Sequence, residues 1–527
     1  MTNSLPRLVN FSIAYPIHGM AAFFLLLLIS CKSKTPTALD HPSFLPQEVA
    51  FGVNTGYFPP FWSDSLQAAL AKSSGCTTLR TGLFHHVLAQ WGYEKKAQNL
   101  AYCRQLGLGP ITGILGYPSP GASDPHQMCP DSPSTLFSGL YLPIWDDGAN
   151  QTPVNDQNAY ALYVWKVANS CKGLIGIYEV WNEPDAGWGG LEKGQPGNWW
   201  DSPPPPCQTG FKASVFAYIR MLRITYEVVK RADPSALVAV GGLGWPSYLD
   251  AICRYSDQPE NGQVGAPGFP LPGGAYFDCM SFHAYPHLYA LTKTDPISGI
   301  TSPNRHSDAA LEGLWQRKQD LEEVLYRHGF DNIRYPAKSW ICTEFNLPRI
   351  SVAEQFGNEK AQVNFVLKAL FSAPKNGVRQ MHLYALADAL NPPSINPEFG
   401  FMGLYPPLDT ILPKNIKGHL LVTALQWYSK LMDGYKPDVP GTHALQLPVT
   451  VDGALFINKK GQKALVLWAK THRDMEEDTT FSIPFPQTCQ NQLWQCFRLI
   501  PLTAQEPSGQ YVQLTACPAV WKQVDNW

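Results

Sequence analysis

Short apolar, β-branched runs alternate with longer stretches of helical periodicity through most of the chain. The runs Val49–Asn54, Thr77–Thr81, Gly109–Leu115, Leu174–Trp181, Leu237–Gly242, Phe277–His283, Ser339–Glu344 and Gln380–Tyr384 predict strands. Between and after them, Ser63–Ser74, Val87–Leu106, Asn155–Cys171, Phe211–Ala232, Ser247–Tyr255, Ser307–Gly329, Glu354–Asn376 and Lys417–Met432 read as helices. Ser307 and Asp308 stand where caps are expected, and Arg317, Arg327 and His328 suit that helix's C-terminal part. Strand followed by helix, repeated round a parallel sheet, predicts an α/β fold: a closed (β/α)8 TIM barrel over residues 47–432.

The surplus length is concentrated. Pro/Gly/Trp-rich segments follow the third (Gly116–Val154), fourth (Pro184–Gly210), sixth (Ala284–His306) and eighth (Ala385–Ile416) strands. All four would lie on the barrel's C-terminal face, where barrel enzymes carry their active sites. From Asp433 the pattern changes to short alternating runs, Leu445–Val451, Ala454–Asn458, Ala464–Lys470 and Thr479–Ile483, with turns expected at Asp452-Gly453 and Lys460-Gly461. Residues 433–527 therefore read as a small C-terminal β-sandwich.

Composition narrows the function. Charged residues are 16% of the 527, below the roughly 25% usual in soluble domains. The formal charge of -2 lacks the basic footprint of a nucleic-acid binder, so no nucleic-acid partner is expected. Aromatic residues reach 12%, which suits stacking on a flat, uncharged ligand. No Cys/His spacing suggests zinc, and no metal or organic cofactor is expected.

Residues Ala21–Ser30 form an apolar run too short for the about 20 residues of a membrane span but of signal-peptide size. Leu28-Ile29-Ser30-Cys31 resembles the bacterial lipobox, which implies cleavage before Cys31 and its lipidation. Residues 1–30 are then a lipoprotein signal peptide and 31–46 the lipidated Cys31 with its tether. The protein is expected to be exported and held in the bacterial cell envelope, touching membrane only through the lipid. Setting Cys31 aside leaves an odd number of the 12 cysteines, so at least one thiol is unpaired or bonded between molecules. Cys489 and Cys496 flank a polar turn and are the expected disulfide; Cys279 and Cys342, inside apolar strands, are expected as buried thiols.

The chemistry concentrates at two strand ends. In Ile177-Tyr178-Glu179-Val180-Trp181-Asn182-Glu183-Pro184, strand alternation puts Glu179, Trp181 and Glu183 on one face. A carboxyl at that tip, beside aromatic walls, is raised in pKa by desolvation and suits a proton donor. Ser339-Trp340-Ile341-Cys342-Thr343-Glu344 ends a later strand in a second carboxylate. On the fourth and seventh strands of one barrel, Glu183 and Glu344 reach the same mouth, as glycosidic cleavage requires.

These residues resemble clan A of the retaining glycoside hydrolases. The likeness rests on Trp181-Asn182-Glu183-Pro184, Thr343-Glu344-Phe345, Arg80 ending the second strand, and Ser281-Phe282-His283-Ala284-Tyr285 on the sixth. With the C-terminal sandwich, it is similar to family 39, the β-xylosidase and iduronidase group. The resemblance implies Glu183 as acid/base, Glu344 as nucleophile kept ionised by Arg80 and Tyr285, and Asn182 on the sugar 2-hydroxyl. It implies His283 on a sugar hydroxyl or a carboxylate. Tyr384 stands where many relatives carry Trp beside the scissile bond. Trp188, Trp199, Trp200 and Trp62 are candidate stacking platforms for the carbohydrate. The implied activity is retaining cleavage of O-glycosidic bonds by double displacement, or transglycosylation by the same route. The alternative is a non-catalytic carbohydrate-binding surface lipoprotein on a degenerate barrel.

Overall fold

Eight parallel strands close into a barrel: β1 (Ala50–Asn54), β2 (Thr78–Gly82), β3 (Ile111–Leu115), β4 (Ile175–Val180), β5 (Leu237–Ala239), β6 (Cys279–Ala284), β7 (Ser339–Phe345) and β8 (Val378–Leu383). Each pairs with its sequence neighbour, and β8 returns to β1. The computed structural model describes residues 49–524 except 127–128, 130–133, 187–206, 208–209, 353, 487–488, 490–492 and 500–510. All eight expected strands fall within two or three residues of their predicted places, because a strand buried on both faces is nearly continuous in apolar residues. No helix among the described residues is long and apolar enough to cross a membrane.

The helices are α1 (Asp64–Ser73), α2 (His85–Trp91), α3 (Tyr93–Gln105), α4 (Ala159–Ser170), α5 (Val215–Ala232), α6 (Pro246–Arg254), α7 (Ser307–Arg327), α8 (Glu359–Ser372) and α9 (Leu420–Met432). The single helix expected over Val87–Leu106 is two, broken at Gly92, whose φ of 93° leaves the helical region. The helix expected from Glu354 begins at Glu359. Gln355–Asn358 instead pairs antiparallel with Ile350–Val352, and the Asn358 side chain then caps α8 by accepting from Ala361 N. His306, not Ser307 or Asp308, caps α7, its Nδ1 accepting from Ala309 N at 3.2 Å.

Inside the barrel the layers change character from bottom to top. Ile177, Leu237, Ala239, Cys279 and Ile341, from β4 to β7, form an apolar cluster. Nearer the C-terminal ends, the inward positions become Arg80, Glu179, Ser281 and Thr343, all buried. A buried polar layer in such a barrel must be internally paired, and this one is the floor of the site below.

The C-terminal strands are β9 (Tyr435–Pro437), β10 (Val451–Asn458), β11 (Lys463–Ala469), β12 (Thr480–Pro484), β13 (Trp494–Arg498), β14 (Tyr511–Thr515) and β15 (Ala519–Gln523). Five make one antiparallel sheet in the order β9-β10-β11-β15-β13, and β12 pairs with β14. Along β10 and β11 the side chains alternate between two cores. Leu455, Leu465 and Leu467 pack with Ile483, Leu514 and Trp521 between the two sheets. Ala454, Phe456, Val466 and Trp468 join the main core against the barrel. Leu445–Val451 is not a strand beyond its last residue; Val439–His443 is a helical turn just before it. Asp452-Gly453 lies inside β10 rather than in a turn. A Cβ on Gly453 would meet Val466 O at 2.2 Å, so the glycine serves close strand approach. Lys460-Gly461 does turn, with Gly461 at φ 81°.

A buried polar cluster joins barrel and sheets. Lys368 Nζ on α8 donates to Asp308 Oδ2 at 2.6 Å and Ser307 Oγ at 2.8 Å on α7. Asp308 also accepts from Thr471 N at 2.6 Å and Trp468 Nε1 at 3.3 Å. Glu477 accepts from Ser307 N and from Asn364 Nδ2. Cys129 and Cys207 form a disulfide across the loops after β3 and β4. Cys279 and Cys342 are buried thiols as expected, while Cys489 and Cys496 both pack in the inter-sheet core.

Candidate active site

The end of β4 sets the geometry. The strand stops at Val180, and Trp181 and Glu183 both have left-handed backbone, φ 68° and 46°. The strict alternation expected here therefore fails after Glu179. Trp181 turns into the core and stacks on Tyr117, ring centroids 4.3 Å apart, while Asn182 and Glu183 are left partly exposed. Glu183 N donates to Gly241 O at 2.6 Å, and Gly241 allows this approach because a Cβ there would meet Val180 O at 2.4 Å. The backbone strain thus sits at the residue that carries the carboxylate.

Arg80 is the hub of the floor. Its Nε donates to Glu179 Oε2 at 2.6 Å, Nη1 to Asn54 Oδ1 at 2.8 Å and to Glu344 Oε1, and Nη2 to Asn182 Oδ1 at 2.7 Å. Asn54 is itself fixed by donating to Thr343 O and Leu383 O. The second oxygen of Glu344 accepts from the Tyr285 hydroxyl at 2.6 Å. Burial alone would push Glu344 up, but the charges of His283 and Arg80 and the Tyr285 hydrogen bond hold it below the usual carboxylate range. Burial next to Glu344 raises Tyr285 well above an ordinary phenol.

His283 lies between the two carboxyl groups. Its Nδ1 is 2.6 Å from Glu183 Oε1 and 3.6 Å from Glu344 Oε2, and its Nε2 is 3.0 Å from Thr343 Oγ1. Burial opposes its charge, yet Glu344 and Glu183 outweigh burial and Arg80, so the imidazole is raised above its ordinary value. One ligand atom each from Glu183, His283 and Glu344 lies within 4.8 Å of the other two. A divalent ion could bridge such a trio, but both Glu344 oxygens already accept from Arg80 and Tyr285. Glu183 and Glu344 differ in access: their side chains are 34% and 10% exposed.

Tyr384 packs edge-on to Tyr285 with centroids 6.1 Å apart, and burial together with the charges of Glu344 and Glu183 pushes its hydroxyl to about 12. Phe399, from the loop after β8, closes on Tyr285 at 4.6 Å. Arg80, Asn182, Glu183, His283, Tyr285, Glu344 and Tyr384 are thus brought together. Trp62 is not a platform: it is buried, and its Nε1 donates to Ile411 O at 2.8 Å. Trp188, Trp199, Trp200 and Cys31 lie outside the described residues.

No protein-family model matches the chain, and no curated protein does. Solved structures do. A family 39 glycoside hydrolase from the gut symbiont Bacteroides cellulosilyticus WH2 aligns over 92% of this chain and 82% of its own, with TM-score 0.53 and 14% identity. A glycoside hydrolase family 30 subfamily 8 xylanase, Xyn30A, from Clostridium acetobutylicum aligns over 90% and 96%, with TM-score 0.50 and 12% identity. The fold is the one these hydrolases share. At such identities the likeness is one of fold.

The sequence analysis did not single out Asn54 or Tyr117, and it quoted Ser281 and Thr343 within motifs without giving either a role. Asn54 ends β1 as Arg80 ends β2, so its place at a strand tip was the available signal. Ser281 and Thr343 sit at inward positions of β6 and β7, where a hydroxyl among apolar neighbours was the clue. Tyr117 carried no local signal, since a left-handed φ of 54° aims it at Trp181.

Proposed function

We propose that the chain is a retaining glycoside hydrolase of the clan A type, similar to family 39, exported and anchored by lipid on Cys31. One observation carries the chemistry: Glu183 and Glu344 present oxygens within 4.8 Å of each other in one barrel mouth. Retaining enzymes hold their carboxyl groups about 5–5.5 Å apart, whereas inverting ones leave about 6.5–9.5 Å for a water. The surroundings divide the roles. Glu344, ionised between Arg80 and Tyr285, attacks the anomeric carbon and expels the leaving group. Glu183, the more accessible, protonates that leaving oxygen and then takes a proton from the water that releases the sugar. Asn182, its Oδ1 held by Arg80, has its amide hydrogens for the sugar 2-hydroxyl. Tyr384 and Phe399 supply aromatic surface for the ring's apolar C–H faces.

The lipobox-like Leu28-Ile29-Ser30-Cys31 supports export, and the Cys129–Cys207 disulfide suits an oxidising compartment. The domains proposed are 1–30 signal peptide, 31–46 tether, 47–432 barrel and 433–527 β-sandwich. The test is digestion of a glycan panel with stereochemical analysis of the first-formed product. Glu344→Ala abolishes turnover of every glycoside, while Glu183→Ala still forms the glycosyl-enzyme from substrates with good leaving groups. Wild-type activity in both variants discards the assignment. Binding across the panel without cleavage by the unaltered protein points to a non-catalytic carbohydrate-binding lipoprotein instead.

A further inference from the structure

Glu179 lies beneath the two carboxyl groups, fully buried and out of a substrate's reach. Its Oε2 accepts from Arg80 Nε, and its Oε1 is 2.7 Å from Ser281 Oγ and 2.8 Å from Thr343 Oγ1. The two hydroxyl oxygens are 2.6 Å from each other. Three oxygens thus close a triangle that contains only the Ser281 and Thr343 hydrogens. If Thr343 turned its hydrogen out to His283, its oxygen would face an anionic oxygen at 2.8 Å with nothing between them. The Thr343 hydrogen therefore stays within the triangle. Towards His283 Nε2, at 3.0 Å, Thr343 Oγ1 is then only an acceptor, so Nε2 carries a hydrogen.

We propose that Glu179 is a positioning residue that fixes the His283 tautomer and so loads a proton into the 2.6 Å contact between His283 Nδ1 and Glu183 Oε1. With Nε2 protonated, Nδ1 either accepts from a protonated Glu183 or, as imidazolium, donates to its carboxylate. A hydrogen occupies the contact in both cases. The proposal rests on the reading of Glu183 as acid/base and deepens it. In the first step the Glu183 proton passes to the leaving oxygen. This leaves a carboxylate facing the Nδ1 lone pair, an arrangement relieved when the pair takes one proton from the attacking water. The charged groups facing His283 are Glu183 and Glu344, which favour its protonation, and Arg80, which opposes it.

Nitrogen-15 NMR of the full chain labelled in histidine tests this, with His283 assigned by its loss in His283→Asn. In the unaltered protein near neutral pH, Nε2 shows the shift of a hydrogen-bearing nitrogen. An unprotonated Nε2 overturns the proposal without any variant. In Glu179→Gln the amide oxygen must accept from Arg80, so its NH2 faces the hydroxyls and turns the Thr343 hydrogen towards His283. Nε2 then loses its hydrogen. Thr343→Val, which removes the acceptor, also alters the Nε2 signal, and Thr343→Ser keeps it. An unchanged Nε2 in a folded Glu179→Gln or Thr343→Val protein overturns the lock. On glycosides with poor leaving groups, Glu179→Gln moves the alkaline limb of kcat/KM down by about one pH unit or more. If no glycoside is cleaved at all, the nitrogen shifts still read the tautomer, so the two readings fail separately.

Discussion

The Tyr285 hydroxyl donates to Glu344 Oε2 at 2.6 Å, on the oxygen opposite the one Arg80 holds. A hydrogen bond to a buried carboxylate contributes about 1.5–3 kcal/mol, and it favours the ionised form. Tyr285→Phe therefore raises the Glu344 pKa. Since the proposed attack by Glu344 needs the carboxylate, the acid limb of kcat/KM moves to higher pH, and kcat at the optimum falls about 10–100-fold. A pH-rate profile unchanged from the unaltered protein contradicts the role given to this contact.

Arg80 offers a planar fork to Glu179, Asn54, Glu344 and Asn182 at once. A lysine keeps the charge but not the fork. Arg80→Lys is expected to lose about 100-fold or more in kcat/KM while its circular dichroism stays native. Arg80→Ala strands two buried carboxylates and costs about 3–5 kcal/mol of stability, read from denaturant unfolding.

Asp185 is buried and accepts from both Gly244 N and Trp245 N at 2.8 Å. Burial outweighs those hydrogen bonds and raises its pKa from 3.8 to about 6. The folded state thus holds this proton more tightly than the unfolded chain. The associated stability is complete below the unfolded value and is lost as pH rises through about 6, a change of about 3 kcal/mol at most. Asp185→Asn keeps an oxygen acceptor without the charge. It should unfold at higher urea than the parent at pH 7, with the gap closing at pH 4.

Lys368 is fully buried against Asp308 and Ser307. Lys368→Met leaves Asp308 as an uncompensated buried charge and costs about 3–5 kcal/mol. Thermal unfolding measures this. Kinetic constants of the surviving folded fraction should stay unchanged, since among the described residues Lys368 bonds to Asp308 and Ser307 and to no group of the mouth.

The barrel was legible because its strands are apolar runs separated by helices with caps and charges. Glu183 and Glu344 were legible as carboxylates ending such runs. What escaped depended on backbone that no residue type announces. Trp181 and Glu183 adopt left-handed φ, which sends Trp181 into the core and leaves Asn182 and Glu183 partly exposed. Gln355–Asn358 pairs with Ile350–Val352 although its composition suits a helix start. Gly453 looked like a turn residue because the need for close approach in a sheet and the need for a turn select the same amino acid.

The cluster around Asp308, Lys368, Thr471 and Glu477 draws its members from α7, α8 and the tail following β11. Cutting the polypeptide after Met432 would expose Asp308 and Lys368 on a surface that had never met water, along with the apolar faces opposite Phe456 and Trp468. The tail is therefore no detachable module. Anyone shortening this protein for crystallisation or for directed evolution should trim elsewhere.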